Sequence, residues 1–446
     1  MPKRIRIRPD HLFPTLLLSL AMLGCKQSPP PEPDQQSKAV VQATSDPAKG
    51  EPLSPPQTPE PSTAITPMAG MRVVDLPFAA SASDVLVDDF DGDGRLDIGF
   101  TSHGENFSQI FYQREARVFE AGPPIMAVGF HPGNLIKLPI AERSAYLMSG
   151  EGAGRLYTLE AAEDGSLVVI AQAKIPSPRF ATTFRWPGWG LGIMAVPFKS
   201  PSIILLKQYD PHKVKAAQRV DLQISGTAYS PQSVATADLD GDGADELILP
   251  LYDLGTLKVI RYPGPDSLPD METLWNSPQL GPVKHIVAAD VNSDGRTDLL
   301  APQEAPIPED GDQAVINILL NDGKGSFSLA KLPFATRPRA EGGMPGIRAL
   351  DTAVDRDGLR YLFAAGYQAF ALYQLAPGVE LGAAPSRQLP FEATEAIFKA
   401  VLRDVDGDGW LDAVVARGRD HDAGLVIFGP LWEHFTTGAT DQPPPS

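Results

Sequence analysis

The amino-acid sequence predicts an all-β protein, a seven-bladed β-propeller preceded by a signal peptide and a disordered, proline-rich linker. Two observations carry this prediction. An acidic nine-residue motif recurs four times at multiples of one spacing, and short apolar segments bounded by turn residues fill the region from 69 to 436. Helical periodicity is nearly absent there, and 446 residues exceed what one ordinary core accommodates, so a large repeat architecture is expected.

The first 24 residues have the composition of an export signal. Basic residues before position 9 are followed by an apolar stretch from Leu12 to Leu23, which is short for a transmembrane helix. The segment ends in Ala21-Met22-Leu23-Gly24-Cys25, which resembles a bacterial lipoprotein signal. This resemblance implies a lipid on Cys25 and anchoring to the cell envelope, with the outer membrane as the expected location. The alternative is an ordinary signal that leaves an idle thiol, since the chain has no second cysteine.

Two flanking segments are expected to be disordered. Residues 25–68 include eleven prolines and no aromatic residue, so they cannot bury enough apolar surface to offset the cost of ordering. This linker would hold the folded region away from the membrane. Residues 437–446, which end in three prolines and Ser446, are expected to form a tail.

The acidic motif sets the number of blades. Its four copies begin at Asp89, Asp238, Asp290 and Asp404, which are 149, 52 and 114 residues apart. These gaps are close to three, one and two units of roughly 50 to 57 residues, the size of a four-stranded propeller blade with generous loops. The spacing therefore predicts seven blades, of which the first, fourth, fifth and seventh carry the motif.

The other three blades are expected to lack an intact motif. Asp355-Arg-Asp357-Gly358 stands near the sixth position as a relic, with Ala353 and Tyr361 in place of the first and last carboxylates. The second and third units, roughly 126–173 and 180–222, have the pattern of plain strands bounded by turns. The segment 71–76 precedes the first motif and is expected to supply the outer strand of the last blade, which would close the ring.

Each copy of the motif is suited to a hard cation. Oxygen ligands stand at positions 1, 3, 5 and 9, and glycine stands at position 6, where the backbone must turn sharply. Calcium takes about six to eight oxygen ligands from carboxylates, carbonyls and water. The side chains expected to bind calcium are Asp89, Asp91, Asp93 and Asp97; Asp238, Asp240, Asp242 and Glu246; Asp290, Asn292, Asp294 and Asp298; and Asp404, Asp406, Asp408 and Asp412. The backbone carbonyls expected to complete these sites, at position 7, are those of Arg95, Ala244, Arg296 and Trp410.

The motif differs from an EF-hand loop. An EF-hand needs a bidentate acid at position 12, where this chain has Phe100, Leu249, Ala301 and Val415. Apolar residues on both sides of the motif indicate a loop between two buried strands. Together with a following segment such as 316–327, this arrangement resembles FG-GAP/VCBS repeats, which also build integrin α-subunit propellers. The resemblance implies a propeller with calcium in the hairpins between the first two strands of a blade, and extracellular ligand binding.

The expected role is that of a non-enzymatic ligand-binding or scaffold module with an unidentified protein or glycan ligand. The net charge of -17 disfavours nucleic acid, which needs a basic surface. The histidines lack zinc-site spacing, and no nucleophile-elbow or phosphate-loop pattern occurs. A hydrolase or lyase acting on an envelope polymer or phosphate ester stays open as the alternative, because propeller enzymes take catalytic groups from different blades.

Two further segments invite interpretation. Trp186 and Trp189 lie in one short turn, where they could stack on a sugar or protein partner or pack between blades. The acidic insertion 302–312 is expected to be a solvated loop.

Overall fold

The protein is a closed ring of seven β-sheets in the computed structural model, as the motif spacing predicted. The structure describes residues 71–437 except for short segments at 127–128, 130, 141–143, 163–164, 199, 201, 214–216, 224–232, 252–254, 266, 311–312, 335–345, 367–368, 378–380, 382–383, 391–396 and 419–423. The signal segment, Cys25 and the proline-rich linker lie outside the described residues. The tail was expected from residue 437, but Thr436–Thr437 forms a strand.

Each blade is a sheet of consecutive antiparallel strands. The strand β1 (Val73–Leu76) precedes the first blade. Blades 1 to 3 contain β2 (Ala82–Asp88), β3 (Asp97–Ser102), β4 (Ser108–Glu115) and β5 (Val118–Ala121); β6 (Pro132–Lys137), β7 (Ala145–Gly150), β8 (Arg155–Ala161) and β9 (Leu167–Lys174); and β10 (Pro178–Trp186), β11 (Gly190–Pro197), β12 (Ser202–Lys207) and β13 (Gln218–Gln223).

Blades 4 to 6 follow the same order, and blade 7 is completed by β1. Their strands are β14 (Ala235–Ala237), β15 (Glu246–Leu251), β16 (Thr256–Ile260) and β17 (Met271–Asn276); β18 (Val287–Ala289), β19 (Asp298–Pro302), β20 (Ala314–Asn321) and β21 (Phe327–Phe334); β22 (Ile347–Val354), β23 (Arg360–Gly366), β24 (Ala369–Leu375) and β25 (Ser386–Pro390); and β26 (Ile397–Arg403), β27 (Asp412–Arg417) and β28 (Gly424–Ile427). The short helix α1 (Leu431–His434) and β29 (Thr436–Thr437) follow, with 3-10 turns at Pro278–Leu280 and Pro308–Asp310.

The ring closes as expected from the N-terminal segment. β1 pairs with β28, with Val73 opposite Ile427, and so forms the outer strand of blade 7. β29 adds a fifth strand to blade 6 by pairing with β25. Both ends of the described chain are therefore tied into sheets.

The core consists of seven apolar clusters, one between each pair of neighbouring blades. A blade therefore buries both of its faces, which explains why middle strands such as β15 and β27 are buried along their whole length. The outer strand β9 instead alternates between partly buried and exposed residues. Among the described residues, no helix has the length and apolar character needed to cross a membrane.

Candidate metal centres at the acidic loops

The four acidic motifs occupy the same corner of their blades. Each lies between the first and second strands, and its ninth residue pairs with the residue just before the motif. The four pairs are Asp88 with Asp97, Ala237 with Glu246, Ala289 with Asp298, and Arg403 with Asp412. Four copies in identical register confirm the predicted placement in equivalent hairpins.

The corresponding corner of blade 6 is built differently. Val354 pairs directly with Arg360, so the connection spans only 355–359 and is shorter than the loop 89–96. Asp355 accepts hydrogen bonds from the backbone N–H groups of Asp357 and Leu359 within this tight turn, both at 2.9 Å. The relic motif therefore occupies the predicted corner without the predicted register.

The first carboxylate of each motif organises its own loop. In blade 7, Asp404 accepts the backbone N–H groups of Gly407 and Gly409, both at 2.9 Å. The glycine at position 6 has φ between 83° and 89° in all four loops, a conformation that costs other residues strain. The sharp backbone turn predicted for the glycine at position 6 is confirmed.

The ninth carboxylate is buried and holds the loop to the blade. Asp412 accepts the N–H of Val405 at 2.8 Å and that of Gly429 at 2.7 Å, and its side chain is shielded from solvent. Asp97 and Asp298 make the same pair of bonds, and Glu246 accepts from Leu239 at 2.7 Å. These donors orient the carboxylate, and each oxygen keeps a lone pair for a cation.

Three loops bring the carboxylates of positions 1, 3 and 9 together. In each of these loops, one oxygen from each carboxylate lies within 4.8 Å of the others. The groups are Asp89, Asp91 and Asp97; Asp238, Asp240 and Glu246; and Asp404, Asp406 and Asp412. The loop in blade 5 has Asn292 at position 3, an amide that also offers an oxygen.

Burial and mutual repulsion make these groups suited to a cation. Burial, together with the neighbouring carboxylates, raises the pKa of Asp97 to about 6 and the pKa values of Glu246 and Asp412 to about 7. The Oδ1 atom of Asp91 is buried without a hydrogen-bond partner. A divalent cation would neutralise the cluster and satisfy this oxygen, so the residues fit a calcium ion.

The position 5 carboxylates lie outside these three-acid groups in the structure. Each accepts the backbone N–H of the position 7 residue at 2.8 to 2.9 Å, in the pairs Arg95 with Asp93, Ala244 with Asp242, Arg296 with Asp294 and Trp410 with Asp408. Ligation by position 5 and by the position 7 carbonyls stays a prediction.

Arginines partly neutralise all four loops, and in blade 4 Arg261 lies 3.9 Å from Glu246. Arg117, from the hairpin between β4 and β5, contacts Asp406 and binds Asp408 at 2.7 Å, which links blade 1 to blade 7. Arg114 binds Asp91 at 2.8 Å, and Arg296 binds Asp294 at 2.7 Å. These contacts could not be predicted from the sequence, because the position of an arginine in the chain does not show which loop its side chain reaches.

Trp186 and Trp189 pack in the core between blades 3 and 4. Each is 3% exposed, their rings lie 4.8 Å apart, and the Trp186 indole N–H donates to the carbonyl of Asp245 at 2.6 Å. Of the two interpretations of these tryptophans, the geometry agrees with packing between blades rather than with partner contact.

The acidic insertion 302–312 is not simply solvated. Glu304 is 4% exposed and forms ion pairs with Lys284 and Arg348, and Asp310 binds Lys331. The expectation of a solvated loop is therefore wrong for these residues, since cations that are distant in sequence meet them in the folded ring. Lys284 and Arg348 also line a cavity that no sequence pattern predicts.

Comparison with known proteins supports the repeat assignment. Residues 238–301, which contain two of the motifs, match the FG-GAP-like repeat family. Raptor from Chaetomium thermophilum is a similar solved structure, with 8% identity, a TM-score of 0.48, and coverage of 80% of this chain and 29% of that chain. The chain thus spans less than a third of Raptor, and this likeness carries no functional inference. The comparison with curated proteins finds no match.

Proposed function

We propose that this seven-bladed propeller with FG-GAP-like repeats is a calcium-binding, non-enzymatic ligand-binding or scaffold module of the bacterial cell envelope. The observation that carries the proposal is the recurrence of one carboxylate cluster, with oxygens within 4.8 Å, at the same corner of three blades. Calcium accepts many oxygen ligands in flexible geometry. Extracellular calcium sites have dissociation constants of about 0.1 to 1 mM, which loops of this kind can provide. Calcium bound there would pin the blade hairpins.

Calorimetric titration of the purified full chain with calcium tests this proposal. The double variant Asp238→Asn with Asp240→Asn removes two charges from the blade 4 loop, where none of the described contacts joins an arginine to either residue. Asparagine keeps one acceptor oxygen at each position, so only one of the two backbone hydrogen bonds that Asp238 accepts is lost. The variant should bind one calcium ion fewer than the wild-type protein. Asp221→Asn, an exposed change on β13, is the matched control and should leave the stoichiometry unchanged. No calcium uptake by the wild-type chain at millimolar calcium would refute the proposal.

The envelope location rests on the N-terminal sequence and Cys25. We expect the wild-type chain to incorporate labelled fatty acid and to fractionate with membranes, and Cys25→Ala to lose both properties. Cleavage of an ordinary signal predicts the opposite, a chain that is released without a label in both forms.

The non-enzymatic role is tested by turnover. The wild-type chain should show no activity above background on a panel of glycans and phosphate esters. Activity that persists in the calcium-loop variants but disappears on changing acids that face the central channel would instead support the hydrolase or lyase alternative.

A further inference from the structure

A cavity lies at the end of the central channel opposite the acidic loops. The first strands of successive blades contact one another around this channel. They run in the same direction, so the acidic loops that follow them lie at one end and their N-terminal residues lie at the other. All seven blades contribute residues from those N-terminal ends to the cavity, which has about 1230 Å³ of empty space, counting the part open to solvent.

Four cations converge in this cavity although the whole chain carries a net charge of -17. These channel cations are Arg179, Lys284, Arg348 and Lys399. Their neighbouring carboxylates lie deeper: the Lys399 side chain is 43% exposed against 6% for its partner Asp84. Lys284 is likewise 26% exposed against 5% for Glu304. A ligand that enters the cavity therefore meets the cations first.

Four cations and one carboxylate, Asp84, line the cavity, while Glu304, Glu151 and Asp351 interact with these cations from outside the lining. Lys284 and Arg348 share a single oxygen of Glu304, and Lys399 pairs with Asp84 at 2.9 Å. Among the described residues, no carboxylate lies within salt-bridge distance of Arg179, whose guanidinium stacks over Phe198 at 4.7 Å. The carboxylate that acts electrostatically on Arg179 is Glu151, whose Oε2 atom lies 3.0 Å from Nδ1 of His131.

Backbone irregularities direct two of these cations into the channel. The strand register shifts between Pro178 and Phe180 and between Ile347 and Ala349, which places Arg179 and Arg348 at β-bulges. A bulge re-aims a side chain that regular pleating would point elsewhere, and bulges are common beside functional sites.

The cavity wall is held by hydrogen bonds between blades and is partly aromatic. Asn134 joins blades 2 and 3 through two hydrogen bonds with the backbone of Ala181, at 2.7 and 2.8 Å. Phe398 stacks on His103 at 4.8 Å and lies beneath the Arg348 guanidinium at 5.7 Å. Preformed cations beside apolar rings lose little entropy when a ligand binds.

We propose that this cavity binds a small oxyanion with at least two negative charges, of the phosphate or dicarboxylate class. Arginine forks bind both groups through paired hydrogen bonds, and lysine adds a point charge. Burial and the four channel cations lower the pKa of His285 in the same wall, so its imidazole is a neutral group that can donate one hydrogen bond. None of the residues of the acidic loops lines this cavity, so anion binding is independent of calcium. The proposal gives a ligand class for the binding role proposed above.

Calorimetric titration of the full chain with inorganic phosphate and with succinate tests the site, at free calcium too low to precipitate phosphate. Acetate and glucose are the singly charged and neutral comparisons and should bind more weakly or not at all. Tighter binding of phosphate assigns a phosphoryl ligand, and tighter binding of succinate assigns a dicarboxylate.

Two arginine variants of blade 3 form a matched pair. Arg179→Gln should weaken binding of the preferred anion at least about tenfold, because a charge-assisted contact is lost. Arg219→Gln makes the same charge change on the exposed outer strand, where Arg219 pairs with Asp221, and should change affinity less than about twofold. Arg179→Lys should restore part of the affinity if the positive charge matters.

The proposal fails if neither dianion binds, or if Arg179→Gln and Arg219→Gln weaken binding equally. Unchanged thermal unfolding of Arg179→Gln shows that any loss is local. The double variant Asp238→Asn with Asp240→Asn should keep anion binding and bind one calcium ion fewer, whereas Arg179→Gln should keep the calcium stoichiometry and lose anion affinity, so the two proposals fail separately.

Discussion

The two ends of the central channel differ in both charge and construction, although the same seven strands connect them. At one end, carboxylates such as Asp404 and Asp412 belong to one loop and bind its own backbone. At the other end, Arg179 and Lys399 come from different blades, more than half of the ring's sequence apart. The acidic sites are thus local and repeated, whereas the basic site is single and shared.

The electrostatic consequence is opposite at the two ends. Burial raises the pKa of carboxyl groups such as Asp412, with the neighbouring acids adding to the effect, whereas burial and neighbouring cations lower the pKa of His285. In both places like charges are held together by the fold. The acidic end therefore favours a cation, and the basic end favours an anion.

Removal of calcium should change the stability of the protein more than any other test given below. It should act at the acidic end of the channel and not at the basic end. Each site saturated at about 100 times its Kd adds about 2.7 kcal/mol to the free energy of unfolding. Removing calcium with a chelator should lower the Tm by at least about 5 °C, measured by calorimetry. An unchanged Tm would mean that the acidic end needs no cation.

The buried ninth carboxylate should dominate the stability of each acidic loop. Asp412→Ala leaves the N–H groups of Val405 and Gly429 without an acceptor, so unfolding free energy should fall by about 2 to 4 kcal/mol. Urea unfolding measures this loss, and the exposed change Asp221→Ala should cost under about 0.5 kcal/mol. Equal effects of the two changes would show that Asp412 does not tie the loop to the core.

The basic end should have its own pH dependence. The pKa of His285 falls from about 6.5 in the unfolded chain to about 3 in the folded protein, because burial and the channel cations disfavour its charged form. The unfolded chain therefore takes up a proton that the folded chain refuses, so the contribution of His285 to stability falls as pH drops from about 7 towards 3.

The variant His285→Gln isolates this contribution from the carboxylates at the other end. The stability of wild type relative to this variant should decrease between about pH 7 and pH 5, as followed by urea unfolding. The neighbouring cations Lys284 and Arg348 are retained in the variant. A difference that does not change with pH would show that the imidazole is not held neutral by its surroundings.

The smallest predicted effect is a difference in stability between serine substitutions at two glycines of the same loop. Ser293 occupies position 4 of its motif with φ 59°, where Gly92 has φ 76°, so Gly92→Ser should cost less than about 1 kcal/mol. Gly94, at position 6, has φ 89°, and Gly94→Ser should cost about 1 to 2 kcal/mol. A Cβ added at either glycine would meet no atom within 4 Å, so backbone strain alone decides the difference in thermal unfolding. A reversed order would contradict this account of the loop.

Much of the fold was predictable because its evidence is local. The spacing of the motifs placed blades 1, 4, 5 and 7 correctly, and the segment 71–76 closes the ring as expected. Blade 6 was less well predicted: Asp355 marks the right corner, but the shorter turn changes the pairing. The sequence pattern does not show that the blade 6 hairpin has a shorter connection than the hairpins that carry the intact motif.

The side chains that depend on neighbouring blades were harder to predict. Trp186 and Trp189 have the composition of a contact site yet pack against blade 4, and Glu304 has the surroundings of a solvated loop yet is buried between cations. Trp186 donates to Asp245 of blade 4, and Glu304 pairs with Arg348 of blade 6 as well as with Lys284 of its own blade. Burial between blades is a property of the assembled ring.

The sequence by itself determined the repeat, the number of blades and the oxygen-rich loops, because the carboxylates of a loop lie within nine residues and share one short hairpin. Only the tertiary structure decided that Arg179, Lys284, Arg348 and Lys399 meet at one channel mouth. Their convergence depends on ring closure, which brings distant strands side by side, and on β-bulges that turn two of the side chains inward.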